Sequence, residues 1–369
     1  MREKDSKLNI IKGVATFSVC SGHILDRLVY YRIDYQQEFV NVLYKNVPIS
    51  WLFLTAGGIG VIFFCLLSGM FCCKKNIDSL KGFFIKAFHR YIDFFLLLLI
   101  CNLIMWLCSQ LGLFNNHGNW LLSHTHKELY PDLHILKGIE MALRIESWNG
   151  AMWMIKYLLF GNIIVYLYSY LKSIIHDKWI QFLVYIIMLI GAWFIAPLTY
   201  VTVAGVMFRH FFLWGIKVFN DINNCSERYI YRFIILITMV GFLNILTIGI
   251  QSPVFGIPYY VFTMPFAFIM IMVEYEILTL LGSKTENLLN RISNYQMSMF
   301  CVHIPIIYTF GGLIYGLTAH SFEKEIIHIV FVYIFIIVVV VIISYFYERF
   351  IEQARKKIVK MLFSKVYNI

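Results

Sequence analysis

Along the chain, apolar residues come in blocks of about 20 with short polar stretches between them, a spacing that suits membrane-crossing helices rather than alternating strands. Ten such windows can be drawn, at 8–28, 50–73, 91–111, 151–171, 179–196, 200–219, 230–250, 259–281, 294–317 and 325–347. At 1.5 Å per residue each can cross a hydrocarbon layer of about 30 Å as a helix. The fifth and sixth windows meet so tightly at Pro197 that the pair also reads as a re-entrant hairpin. The pattern predicts an all-α polytopic membrane protein of about ten transmembrane helices. One membrane-embedded domain over residues 1–369 is expected, with no appended soluble domain.

Charge gives the bundle a direction. With a cytoplasmic amino terminus, 22 of the 31 Lys and Arg fall on the inner side and 7 on the outer, leaving Lys156 and Arg209 inside helices. Positive charge collects in cytoplasmic loops, so both termini are expected inside. The same rule accounts for the net charge of +10, and no nucleic-acid partner is expected. A composition of 60% hydrophobic and 14% charged residues excludes an ordinary soluble domain. The eight cysteines fall within windows or on the inner side, where neither a disulfide framework nor a catalytic thiol is expected. The outer loop 112–150 holds His117, His124, His126 and His134 near Glu128. These invite a zinc reading, but no fixed four-ligand spacing is present, so a solvated loop without metal is expected.

A few polar residues interrupt the windows. Lys12 and His23 are eleven residues apart, which is three helical turns, so both project from one face about 16 Å apart along the axis. Ionisable groups at membrane depth are costly and mark function. Ser68-Gly69 ends the second window, where close helix packing is the commoner reading, as it is for Gly57, Gly58 and Gly60. Gly57-Gly58-Ile59-Gly60 starts an apolar helix rather than following a strand, so it is no phosphate loop. Lys156 is expected to snorkel to an interface, and mid-helix Arg209 should face a cavity or a carboxylate. Glu274, Glu276 and His303 complete the inventory. The inner stretch 72–93 reads as a loop carrying Lys74, Lys75, Lys81, Lys86, His89 and Arg90. Such a mouth could hold a polyanion, or simply set topology.

Several segments together resemble the acyltransferase-3 family of integral-membrane O-acyltransferases. Leu8-Asn-Ile-Ile-Lys12-Gly-Val-Ala with His23 resembles that family's first-helix motif of Arg or Lys, ten residues, then His. Gly60-Val-Ile-Phe-Phe-Cys-Leu-Leu-Ser68-Gly69 is similar to its second-helix signature, and Met152-Trp153-Met-Ile-Lys-Tyr-Leu158 to its Leu-Trp-Phe-Leu segment. Ser298-Met-Phe-Cys-Val-His303-Ile-Pro305 resembles the late element ending in His and Pro. Arg209-His-Phe-Phe-Leu-Trp-Gly215 and Tyr347-Glu348-Arg349 also fit. Two departures stand out. The family's third helix opens with three basic residues and a proline, where this chain has Lys86, Ala87, Arg90 and Asp93. The first-helix cation is Lys rather than the commoner Arg, which removes bidentate recognition.

The resemblance implies a membrane O-acyltransferase, acetyl by family habit, moving an acyl group from cytoplasmic acyl-coenzyme A to a hydroxyl of a surface polysaccharide or its lipid-linked precursor. It implies His23 as catalytic base. Lys12, Lys86, His89 and Arg90 would hold the coenzyme A phosphates, with Ser68, Arg209 and His303 supporting. Ser68 or a backbone amide would face the oxyanion, and His303 has a rival claim as base. The expected donor is acetyl-coenzyme A and the expected location the bacterial inner membrane. A glycan flippase or carrier, or a polysaccharide polymerase, is the competing class.

Overall fold

The computed structural model describes residues 6–30, 57–73, 77–114, 133–223, 263–318 and 325–367. Within them the chain is 90% helical and has no strand, as the period of the apolar blocks requires. The helices are α1 (Ser6–Tyr30), α2 (Gly57–Cys72), α3 (Leu80–Gln110), α4 (Ile135–Leu143) and α5 (Met154–Ile174), the last entered through a 3₁₀ turn at Gly150–Trp153. There follow α6 (Lys178–Ile195), α7 (Pro197–Asn223), α8 (Met264–Leu280), α9 (Ser283–Ser293) and α10 (Gln296–Ile306). A π turn at Ile307–Gly311 leads into α11 (Gly312–Thr318). Then α12 (Glu325–Tyr347) passes through a second π turn, Glu348–Glu352, into α13 (Gln353–Tyr367).

Six described segments are long and apolar enough to cross a bilayer: Leu80–Gln110, Gly150–Ile174, Lys178–Ile195, Pro197–Val218, Gln296–Ile314 and Val330–Ser364. This is an integral membrane protein. The window at 230–250 lies outside the described residues, as do His117, His124, His126, Lys74 and Lys75. One boundary needs correction. The stretch 72–93 is not a loop throughout, because α3 begins at Leu80 and carries Lys81, Lys86, His89 and Arg90 as helical residues. Charge in a first helical turn outside the apolar zone is no barrier to helix when Leu, Lys and Ala surround it.

The chain packs as two compact units. The first takes residues 1–15, 58–87 and 157–293. Its α2 and α7 approach closely, since a Cβ on Gly69 would overlap the Thr202 carbonyl oxygen and one on Gly205 the Leu66 carbonyl. Small residues here let two backbones touch, which is the packing reading of Ser68-Gly69. α6 and α7 meet at extended Ala196, with Pro197 opening α7 where a missing N–H costs nothing. Asp177 caps α6 by accepting from the Trp179 and Ile180 amides.

The second unit takes residues 16–57, 88–156 and 294–369. Asn102 on α3 organises its loop 144–149. Its Nδ2 donates to the Gly138 carbonyl at 2.8 Å, and its Oδ1 accepts from the Ser147 hydroxyl and the Trp148 amide. The loop leaves α4 through Ile145 at φ 58°, with the Glu146 amide reaching back to the Met141 carbonyl at 2.8 Å. A β-branched residue in that left-handed region is strained, and the burial of Ile145 and the Asn102 clamp hold it there. The result is to deliver Asn149, fully buried, against α10.

Candidate functional site

α10 is apolar on every side and buried on every side, from Ser298 to Ile306. Its Pro305 has no N–H, so the helix interior loses the bond that the Cys301 carbonyl would accept. Asn149 supplies the missing donor, its Nδ2 lying 2.8 Å from that oxygen. Its Oδ1 accepts from the Ala151 amide and so caps the 3₁₀ turn. The Pro305 carbonyl accepts from the Thr309 hydroxyl at 2.8 Å, at the start of the π turn. At the other end of α10, the Ser298 hydroxyl donates to Glu348 Oε2 at 2.7 Å. The helix is therefore pinned at both ends by polar groups that an apolar bilayer makes hard to give up.

His303, fully buried, projects from the middle of this pinned helix. Its Nδ1 is 3.0 Å from the Met299 carbonyl, and its Nε2 is 3.4 Å from Nδ1 of His23 on α1. The two rings are 5.2 Å apart at 53°. A carbonyl only accepts, so the proton of a neutral His303 sits on Nδ1 and its Nε2 presents a lone pair. His23 must then carry its proton on Nδ1 and its lone pair on Nε2. One backbone carbonyl thus sets the tautomer of both imidazoles. Neighbouring Ser21 on α1 bonds the Tyr333 hydroxyl at 2.7 Å, which seats this part of α1 against α12.

A charged network lies on the same unit. Arg355 of α13, 6% exposed, bonds both Glu352 oxygens at 2.8 and 2.7 Å through Nε and Nη2, and ion-pairs with Asp93. Lys356 reaches Glu348 at 2.7 Å. Asp93, which replaces the family's proline, therefore ties α3 to α13, its Oδ1 meeting Arg355 while its Oδ2 meets Arg90 at 3.4 Å. Arg90 also lies over the Phe94 ring at 4.2 Å, and its buried Nε has no acceptor among the described residues. A buried N–H of a guanidinium in need of an acceptor fits an anionic ligand, so the residues present are compatible with a phosphate-bearing donor. His89 packs on Phe363 at 4.6 Å between ring centres. The contact of Asp93 with Arg355 could not be read from sequence, since 262 residues separate the two. The signal in the chain is a lone carboxylate at the edge of an apolar segment.

The remaining expected residues belong to the first unit. Lys12 Nζ stands 3.9 Å over the Phe71 ring, and Arg209 donates to the Met70 carbonyl at 3.2 Å. Both cations thus gather at the last turn of α2, where carbonyls lack helical partners and the helix dipole is negative. Arg209 was expected to face a cavity or a carboxylate; its partner is a backbone carbonyl instead. The Ser68 hydroxyl donates to Asn162 Oδ1 at 2.8 Å, so in this arrangement its proton is directed away from an oxyanion role. Lys86 is partly buried on α3. Lys156, expected to snorkel, pairs with Glu146 at 2.7 Å; that lysine holds the Glu146 carboxyl below the usual carboxylate range. His23 and His303 are brought together, and His89 and Arg90 share their unit, while Lys12, Ser68, Lys86 and Arg209 belong to the other. Among the described residues no group of three His, Cys, Asp or Glu converges as a metal site, and His134 is exposed.

A family model described as an acyltransferase domain matches residues 5–346, nearly the whole chain. The chain belongs to the acyltransferase-3 family and is a membrane acyltransferase. No curated protein and no solved structure matches it.

Proposed function

We infer that the protein transfers an acyl group, acetyl by family habit, from acyl-coenzyme A to a hydroxyl of a surface polysaccharide or its lipid-linked precursor, in a bacterial inner membrane. The observation that carries this reading is the carbonyl–His303–His23 chain, which directs the His23 Nε2 lone pair outward from the pair. In the reaction that nitrogen takes the proton of the acceptor hydroxyl as its oxygen attacks the thioester carbonyl. The new C–O bond forms, the C–S bond breaks, and the coenzyme A thiolate leaves with the proton that His23 accepted. A thiolate is a good leaving group, so one base and good positioning suffice. His303 is a positioning residue, since it acts through His23. As the family resemblance implies, the anionic end of the donor falls to Lys12, Lys86, His89 and Arg90, with Arg209 supporting. Support comes from the family membership, from the orphan Arg90 Nε, and from the meeting of two cations on one helix end.

The test is thiol release. Purified protein in detergent or vesicles, given acetyl-coenzyme A and a glycan acceptor, should release free coenzyme A in proportion to O-acetyl ester formed. Transport of the glycan without any thiol release would replace this reading with that of a carrier.

A further inference from the structure

Helix runs without interruption from Glu325 through α12, the second π turn and α13 to Tyr367. At 1.5 Å per residue its contour is about 60 Å, twice the hydrocarbon layer. After Glu325, α12 has no charged residue, and charges resume at Glu348. α13 therefore emerges at the membrane surface that the apolar part of this helix reaches.

Its residues sort onto three flanks at 100° per residue. Arg355, Val359 and Phe363 recur every four residues and are buried, with Asp93, Glu352, Phe88 and His89 as neighbours. A second, exposed flank carries Lys356, Lys357 and Lys360. The third carries Ile358, Met361 and Leu362, which are 43%, 61% and 57% exposed. A helix wholly in water would place polar side chains there. A bare apolar strip beside a lysine row is the pattern of a helix in contact with lipid at the membrane surface. Lys356 is engaged by Glu348 and Glu352. Among the described residues, Lys357 and Lys360 have no carboxylate partner. The carboxylates of the region, Asp93, Glu348 and Glu352, are engaged by Arg355 and Lys356, so nothing described on α13 neutralises the two outer lysines.

We propose that Lys357 and Lys360, together with Ile358, Met361 and Leu362, form a binding site for an anionic phospholipid. The ammonium groups hold the headgroup phosphate, and an acyl chain lies along the apolar strip. The site is separate from the acyl-transfer chemistry and does not depend on it. A soluble phosphate would use the lysines and leave the strip unexplained, which is why the lipid is the occupant chosen.

The experiment is native mass spectrometry of the full chain in detergent, titrated with phosphatidylglycerol or phosphatidylcholine. The wild type should retain phosphatidylglycerol in preference. Lys357→Gln with Lys360→Gln should lower that affinity about 30-fold, given about 1 kcal/mol from each lysine near an anionic surface. Met361→Ser with Leu362→Ser should weaken both lipids. Lys357→Arg with Lys360→Arg should keep the preference, which separates loss of charge from loss of fold. Equal retention of the two lipids by the wild type would overturn the proposal, as would an unchanged preference in the double Gln variant. Displacement of the lipid by inorganic phosphate, with no effect of the Met361 and Leu362 changes, would show a soluble-phosphate site instead and also overturn it.

Discussion

The two units hold the positive charge of an arginine in opposite ways. In the second, Arg355 is enclosed by carboxylates, with Glu352 and Asp93 on its guanidinium. In the first, Arg209 rests on the Met70 carbonyl, and among the described residues no carboxylate pairs with it. A caged cation is neutralised where it stands and serves the fold. A cation held by a neutral carbonyl keeps its charge, and in a low-dielectric setting that charge attracts an anion strongly. The contrast separates a structural cation from a candidate donor-binding one, which sequence cannot do, because neither Asp93 nor Met70 lies near its arginine in the chain.

The largest effect expected from this contrast is on stability. Arg355→Met should leave buried Glu352 and half-buried Asp93 without their shared cation and lower stability by about 3–5 kcal/mol, read as an early melt in detergent. Arg209→Met should melt near the wild type. Equal loss in both variants would erase the distinction. Next comes the pinning of α10. Asn149→Leu strands the Cys301 carbonyl and should cost about 1–3 kcal/mol, with turnover falling alongside because His303 loses its fixed seat. If Asn149→Leu instead leaves melt and turnover at wild-type levels, the Pro305 gap is satisfied some other way.

On function, Arg209→Met and Arg90→Gln should each raise the Michaelis constant for the donor about tenfold, in line with losing one charge-assisted hydrogen bond, while turnover at saturation changes less. An unchanged constant would return these residues to a packing or topological role. The smallest effect concerns Glu146 and Lys156. Because the folded carboxyl is held below its ordinary value of 4.5, its contribution to stability is present above that value and disappears as pH falls through the lower folded one. The melting difference between wild type and Lys156→Met should therefore be small at neutral pH and shrink toward zero in acid. A difference that grows on acidification would contradict the pairing. Both side chains are well exposed, so screening keeps the effect modest.

Most of the helical outline was legible. The last window coincides with α12 at Glu325–Tyr347, because an uninterrupted run of Val, Ile and Phe leaves no other reading. The start of α3 was not legible, since Lys81, Lys86 and Arg90 look like loop charges until helix geometry is known. The same limit hid α13, whose five basic residues read as topology, while Arg355 turns out to lie on a buried face and Lys356, Lys357 and Lys360 on an exposed one. For the site, the residues were legible and their partners were not. His23 and His303 were each visible as ionisable groups in apolar helices, but 280 residues separate them. Asn149 was invisible for a physical reason: it matters only because Pro305 removes a donor from a helix that the chain forms much later.

In the proposed reaction His23 takes the hydroxyl proton and His303 sets its tautomer. The direct measurement is the rate of coenzyme A release, with acceptor present, in His23→Ala, His303→Asn and His303→Leu. Loss of about a thousandfold is expected in His23→Ala, within the range of general-base contributions. Partial activity is expected in His303→Asn, whose side-chain oxygen can still accept from His23 Nδ1, and deeper loss in His303→Leu. Near-normal release in His23→Ala, with release abolished in both His303 variants, would make His303 the base and overturn these roles.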